Sequence, residues 1–156
     1  MKTSIVSNNV KLTSNMEDYL EAISNLEKKN RVARVKDIAS TLKVKMPSVT
    51  SALKVLRENG LINYEKNSFI ILTEKGADIA NEIVNKHITL TRFLETILLI
   101  TPNERAQDMA CKMEHAVDCD TINRMTRFID AFDKEMTGLG KIDAKEWKDL
   151  IEGKEK

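Results

Sequence analysis

Between Pro47 and Thr73 the sequence changes its hydrophobic period abruptly, and that change narrows the folds open to it. Pro47 suits the first turn of a helix, where its missing N–H would have no helical partner anyway. Val49, Ala52, Leu53 and Leu56 then recur at helical spacing, and Gly60 offers a left-handed stop. Directly after it come two β-prone runs, Leu61–Tyr64 and Phe69–Leu72, separated by Glu65, Lys66, Asn67 and Ser68. That is the pattern of a hairpin. A helix that runs straight into a short hairpin has to bury one face of each, and the residues before it supply the partner.

Upstream, a helix is expected from Ser14, where Ser14 and Glu17 have capping-box spacing. Met16, Tyr19, Leu20, Ile23 and Leu26 form its apolar stripe, and the polar run Lys28–Asn30 ends it. A short helix over Val35–Leu42 turns Ile38, Ala39 and Leu42 inward. Helix, short helix, turn, reader helix and hairpin make up a winged helix-turn-helix, assigned to residues 13–75 behind a flexible arm at 1–12. Downstream the pattern is helical. Thr73 is placed to cap a long helix to about Leu99, carrying Ile79, Ile83, Leu90, Phe93, Leu94 and Ile97. Thr101, Pro102, Asn103 and Glu104 combine a cap, a proline at the first helical position and a capping-box glutamate. That helix runs to about Val117, and another from about Asp120 shows Ile122, Met125, Ile129 and Phe132. Gly138 and Gly140 loosen the chain before a short amphipathic helix around Asp143–Glu152. The expected fold is mainly α, with an all-helical domain at 76–137 and a tail at 138–156.

Residues 28–75 hold eleven basic against four acidic side chains, whereas 76–156 hold twelve against sixteen. The first segment suits a phosphate partner and the second a different task, although clustered solvated lysines give the same count. No apolar run approaches the roughly 20 residues that cross a bilayer, and the first dozen residues lack a secretory h-region. Two cysteines, Cys111 and Cys119, make no disulfide framework, so a reducing cytoplasm is expected.

The geometry of the first segment points to duplex DNA. A helix fits the major groove and its first turns approach base edges, while basic neighbours hold phosphates. On the reader helix Pro47, Ser48, Thr50, Ser51 and Lys54 lie off the apolar stripe, and Lys45 precedes it. Lys36 lies on the short helix and Lys66 at the hairpin tip. The same architecture also serves ligand-binding and partner-binding domains that never touch DNA.

In the second segment Cys111, Glu114 and His115 occur as Cys-x-x-Glu-His on one helix flank, off the Ala106, Met109, Ala110, Met113 and Val117 stripe. Thiolate, carboxylate and imidazole are transition-metal donors. Asp18 and Glu21, three apart on the first helix, and His87, the only other histidine, are further candidates. Each has a plainer reading: Asp18 and Glu21 as a solvated face, His87 as a surface histidine, Cys111 as a small buried hydrophobe. The residues alone leave the metal site open.

Taken together, these stretches resemble the diphtheria-toxin-repressor and manganese-transport-regulator (DtxR/MntR) group of metal-dependent regulators. The resemblance rests on Met16–Glu21, Arg34–Ala39, Pro47–Thr50, Leu72–Gly76, Lys86-His87 and Cys111–His115, and covers roughly residues 13–135. It implies a homodimer joined through the helical domain, bound to palindromic operator DNA to repress metal-uptake genes, and not an enzyme. It places Asp18, Glu21, His87, Cys111, Glu114 and His115 at metal-liganding positions, with Mn(II) or Fe(II) as activator and Co(II) or Zn(II) as surrogates. The set is a hybrid. Manganese-type members have glutamate where Cys111 stands, and iron-type members have methionine where Asp18 stands. Thr91 and Gln107 stand where iron-type members carry ancillary ligands, and the sequence stops short of the SH3-like domain of longer members. The rival reading is a winged-helix regulator that answers an organic ligand, or a redox signal through Cys111 or Cys119. A hydrolase using Glu114 as base lacks both a cleft and the HExxH spacing, and a pure dimerisation adaptor leaves the charge split unexplained.

Overall fold

The apolar stripe of the first expected helix is buried as its spacing requires. A computed structural model describes residues 12–65, 68–137 and 144–154, and in it helix α1 spans Ser14–Asn30, burying Tyr19, Leu20, Ala22 and Ile23. Its cap is Thr13 rather than Ser14. Thr13 has extended backbone, as a cap must, and its carbonyl accepts from the N–H groups of Met16 at 2.8 Å and Glu17 at 3.1 Å. Ser14 is already helical, so the Ser14–Glu17 box does not form. Arg31, at φ 65°, closes the helix by donating its N–H to the Glu27 carbonyl at 2.7 Å. Nearly all of the expected arm, with Lys66 and both Gly138 and Gly140, lies outside the described residues.

The chain divides into two compact units, Met1–Asn81 and Glu82–Lys156. In the first, helix α2 (Val35–Thr41) and helix α3 (Met46–Glu58) pack with α1. Their core includes Leu20, Ile23, Ile38, Leu53, Leu56, Leu61, Ile62 and Ile70, all essentially inaccessible to solvent. Each such side chain contributes about 1.5–3 kcal/mol of burial, which holds these short elements where their own propensities would not. Gly60 adopts φ +69° and ends α3 as its position suggests. Strands β1 (Ile62–Tyr64) and β2 (Ile70–Leu72) follow as an antiparallel hairpin in which Ile62 faces Leu72 and Tyr64 faces Ile70. Alternation buries Ile62 and Ile70 and exposes Asn63 and Ile71. The hairpin is pinned twice more. Ala33 exchanges backbone hydrogen bonds with Ile70 at 3.0 and 3.3 Å, and Leu72 donates its N–H to the Glu27 carboxylate at 3.0 Å.

Thr73 caps helix α4 (Glu74–Arg92): its hydroxyl accepts from the Gly76 N–H at 3.1 Å and donates to the Gly60 carbonyl at 2.7 Å. Gly76 allows the helix to begin here, because a Cβ at that position would stand 1.9 Å from the Leu61 carbonyl oxygen.

The second unit carries the rest of α4. The expected helix to Leu99 instead passes at Phe93–Ile97 into a π-helical turn, closed by the Leu98 N–H on the Phe93 carbonyl at 3.2 Å. The wider turn keeps both Leu94 and Ile97 buried before Leu99 reverses the chain at φ 54°. Pro102 occupies the cap position of helix α5 (Asn103–Glu114), one residue earlier than expected, because its ψ of 168° is extended and not helical. Helix α6 (Cys119–Thr137) is capped by Asp118, whose carboxylate accepts the Thr121 N–H at 2.7 Å. That bond holds the Asp118 carboxyl below its ordinary range. Leu90, Leu94, Ala106, Ala110 and Ile122 form the core. Helix α7 (Ala144–Ile151) is tied on by Trp147, which packs on Phe132 at 4.9 Å and donates its indole N–H to the Ile97 carbonyl at 3.0 Å. Among the described residues no helix is long and apolar enough to cross a membrane.

Candidate nucleic-acid interface and metal centre

The inward stripe of α3 leaves its other face to solvent. Val49, Ala52, Leu53 and Leu56 are buried, while Pro47, Ser48, Thr50, Ser51 and Lys54 are exposed. Lys45 at the cap and Lys36 on α2 are exposed as well. The Thr50 and Ser51 hydroxyls donate to the Met46 and Pro47 carbonyls at 3.1 and 3.0 Å. Each keeps oxygen lone pairs for an outside donor, and neither adds bulk that would hold the helix away from a groove. Among the exposed apolar residues of this unit, Met46 at the start of α3 and Phe69 just before β2 were not expected to have a functional role. Exposed apolar side chains interrupt no period and leave no pattern to find.

The metal candidates lie in both units. Asp18 and Glu21 are half-buried on α1, one helical turn apart. In the second unit α4 and α5 bring His87 and Glu114 together, with His87 Nδ1 3.0 Å from Glu114 Oε2. His115 Nε2 lies 3.7 Å from Glu114 Oε1, which is too long for a hydrogen bond. Cys111 is half-buried one turn earlier on α5. The decisive feature is Glu114. Its side chain is 1% exposed, and Oε1 has no hydrogen-bond partner. A carboxylate in that setting carries a large desolvation cost unless positive charge offsets it. A carboxylate beside two imidazoles, with a thiol one turn earlier on the same helix, is a donor set whose chemistry fits a divalent transition metal. The spacing placed Glu114 on a helix flank, but its burial depends on the packing around α5, which periodicity cannot report. Thr91 and Gln107 line a cavity of about 300 Å³ with His87 and Glu95.

Comparison with known proteins agrees along the chain. Residues 11–69 match the family described as iron dependent repressor, N-terminal DNA binding domain, and residues 73–142 match iron dependent repressor, metal binding and dimerisation domain. An HTH-type transcriptional regulator of Methanocaldococcus jannaschii is 35% identical over 122 residues, 78% of this chain and 97% of that protein. The HTH-type transcriptional regulator MntR of Oceanobacillus iheyensis is 34% identical over 133 residues, 83% of this chain and 89% of that one. Among solved structures the manganese regulator SloR superposes with a TM-score of 0.67 at 29% identity, over 76% of this chain and 55% of that one. IdeR of T. acidophilum gives 0.65 at 30% identity over the same shares, so the chain spans about half the length of these two.

Proposed function

Since the chain belongs to the iron-dependent repressor family of metal-dependent transcriptional regulators, we propose that it represses metal-uptake genes when Mn(II) or Fe(II) is plentiful, binding a palindromic operator as a homodimer. The observation that carries this reading is the buried Glu114, with one oxygen on His87 and the other without a hydrogen bond. The proposed ligands are Asp18 and Glu21 from the first unit and His87, Cys111, Glu114 and His115 from the second. A bound divalent ion supplies the charge that offsets Glu114 and joins donors from both units. Asp18 and Glu21 sit on the helix that packs α2 and α3, so fixing those carboxylates fixes the reader. With the ligands loaded, one orientation of the reader helices is favoured, set to meet successive major grooves through the partner copy. Without it other orientations are populated and operator affinity falls.

The donor set also bears on which metal activates. Asp18 and Glu21 suit hard Mn(II), the metal named for SloR, whereas the Cys111 thiolate favours a softer ion such as Fe(II). Loading the protein with Co(II) tests the ligand set directly. The wild type is expected to show a thiolate-to-Co(II) charge-transfer band that Cys111→Ser removes, with Asp18→Ala and His115→Ala each weakening metal binding by at least tenfold. Full-affinity binding by all three variants would refute the assignment.

A further inference from the structure

Beside the reader helix the first unit holds a cleft of about 560 Å³, walled by α2, the start of α3 and the hairpin. Arg34, Lys36, Met46, Thr50, Tyr64 and Phe69 line it. Its lining is of two kinds, cationic and apolar. Phe69 is 48% exposed, and the Arg34 guanidinium rests on it, its carbon 5.1 Å from the ring centroid and within cation–π range. Among the described residues Arg34 has no carboxylate partner.

The backbone explains why this pair is preset. Ala33, the residue before Arg34, exchanges hydrogen bonds in both directions with Ile70, the residue after Phe69. That bridge places Arg34 and Phe69 side by side independently of the hairpin tip. Arg34 also stands at the N-cap of α2 in extended conformation, with no side-chain capping bond. A planar guanidinium already held against a ring loses little freedom on meeting an anion, and its fork matches two phosphate oxygens.

We propose that this cleft receives the sugar-phosphate strand flanking the groove that α3 enters, with Arg34 as the phosphate-binding residue and Phe69 as its positioning residue. The proposal rests on the DNA-binding reading above and adds a contact outside the reader helix. The occupant is one strand of duplex DNA, because the cleft opens beside the exposed Thr50 of α3 and a second cation, Lys36, lines it too. A contact of this kind positions the protein and reads no base.

The test is the salt dependence of binding to a mixed-sequence duplex, measured for metal-loaded wild type, Arg34→Gln, Phe69→Leu and, as a control for the reader, Lys54→Gln. Losing one phosphate contact per protomer lowers the magnitude of the log K against log salt slope by roughly 1.8 for a dimer. Arg34→Gln is expected to show that fall. Phe69→Leu is expected to keep the slope and to bind roughly two- to fivefold more weakly per protomer. In the wild type, duplex is also expected to protect Arg34 from phenylglyoxal, read by peptide mass, which needs no variant to fold. A reduced slope in Lys54→Gln with an unchanged slope in Arg34→Gln, or an unprotected Arg34 in the saturated complex, overturns the cleft and leaves DNA binding standing. Absence of salt-dependent binding by the wild type overturns the DNA-binding reading itself.

Discussion

Replacing Glu114 by glutamine separates what this residue does for folding from what it does for metal. The carboxylate is 1% exposed, and only one of its oxygens is bonded, to His87. Glutamine has nearly the same shape and can keep a hydrogen bond to the imidazole, but it carries no charge to desolvate. Removing an imperfectly paired buried charge is worth about 1–3 kcal/mol to the metal-free protein. At about 2–4 °C per kcal/mol for a chain of this size, its thermal midpoint is expected to rise by roughly 2–12 °C. The metal-loaded protein goes the other way. A ligand at a thousand times its Kd stabilises by about 4 kcal/mol, and loss of the central carboxylate removes most of that. Thermal unfolding of wild type and Glu114→Gln, each in chelator and in excess Mn(II), gives all four values. The expected pattern is a crossing, with the variant more stable without metal and less stable with it. If Glu114→Gln lowers the midpoint in chelator and keeps the full Mn(II) shift, Glu114 is a structural residue and the argument from its oxygen without a hydrogen bond is wrong.

Three further outcomes follow from the packing. Gly76→Ala drives a methyl group into the Leu61 carbonyl, so urea unfolding is expected to show a loss of about 3 kcal/mol; a loss below about 1 kcal/mol would mean that α4 shifts freely against the hairpin. Trp147→Phe keeps the ring on Phe132 but removes the indole bond to Ile97, with an expected cost of about 1 kcal/mol in the same assay. The Asp118 carboxyl is lowered by the Thr121 N–H, so its contribution is present above the unfolded aspartate range and is lost as pH falls through the lower folded value. Asp118→Asn keeps an acceptor without that titration. The stability advantage of wild type over Asp118→Asn is therefore expected to shrink between about pH 6 and pH 3, and a constant difference would contradict the assignment.

The reader unit was the more legible half of the molecule. Val49, Ala52, Leu53 and Leu56 are buried as their spacing demands, Gly60 stops α3, and Thr73 caps α4, because each follows from local geometry that a short window of sequence contains. What escaped depends on distant neighbours. Pro102 sits at the cap and not inside α5, and the α-helical ladder of α4 widens at Phe93, since chain reversal at Leu99 and burial of both Leu94 and Ile97 are tertiary demands. The Arg34–Phe69 pair joins residues that only the Ala33–Ile70 bridge makes adjacent. In the proposed metal centre the donor residues were visible as types at suggestive spacings, and only the resemblance grouped them. The burial of Glu114 and its bond to His87 are what packing adds to that grouping.

The proposed metal site makes operator binding depend on metal. The most direct test is operator affinity at fixed salt, measured with chelator and with saturating Mn(II) or anaerobic Fe(II), for wild type, Asp18→Ala and His115→Ala. An operator selected from a random pool by the metal-loaded protein serves as the probe. Coupling of ordinary size predicts a roughly 5- to 150-fold tightening by metal in the wild type. Both variants are expected to bind like the metal-free protein while remaining folded. Equal operator affinity with and without every metal tried, in a protein that binds that metal, would contradict the account.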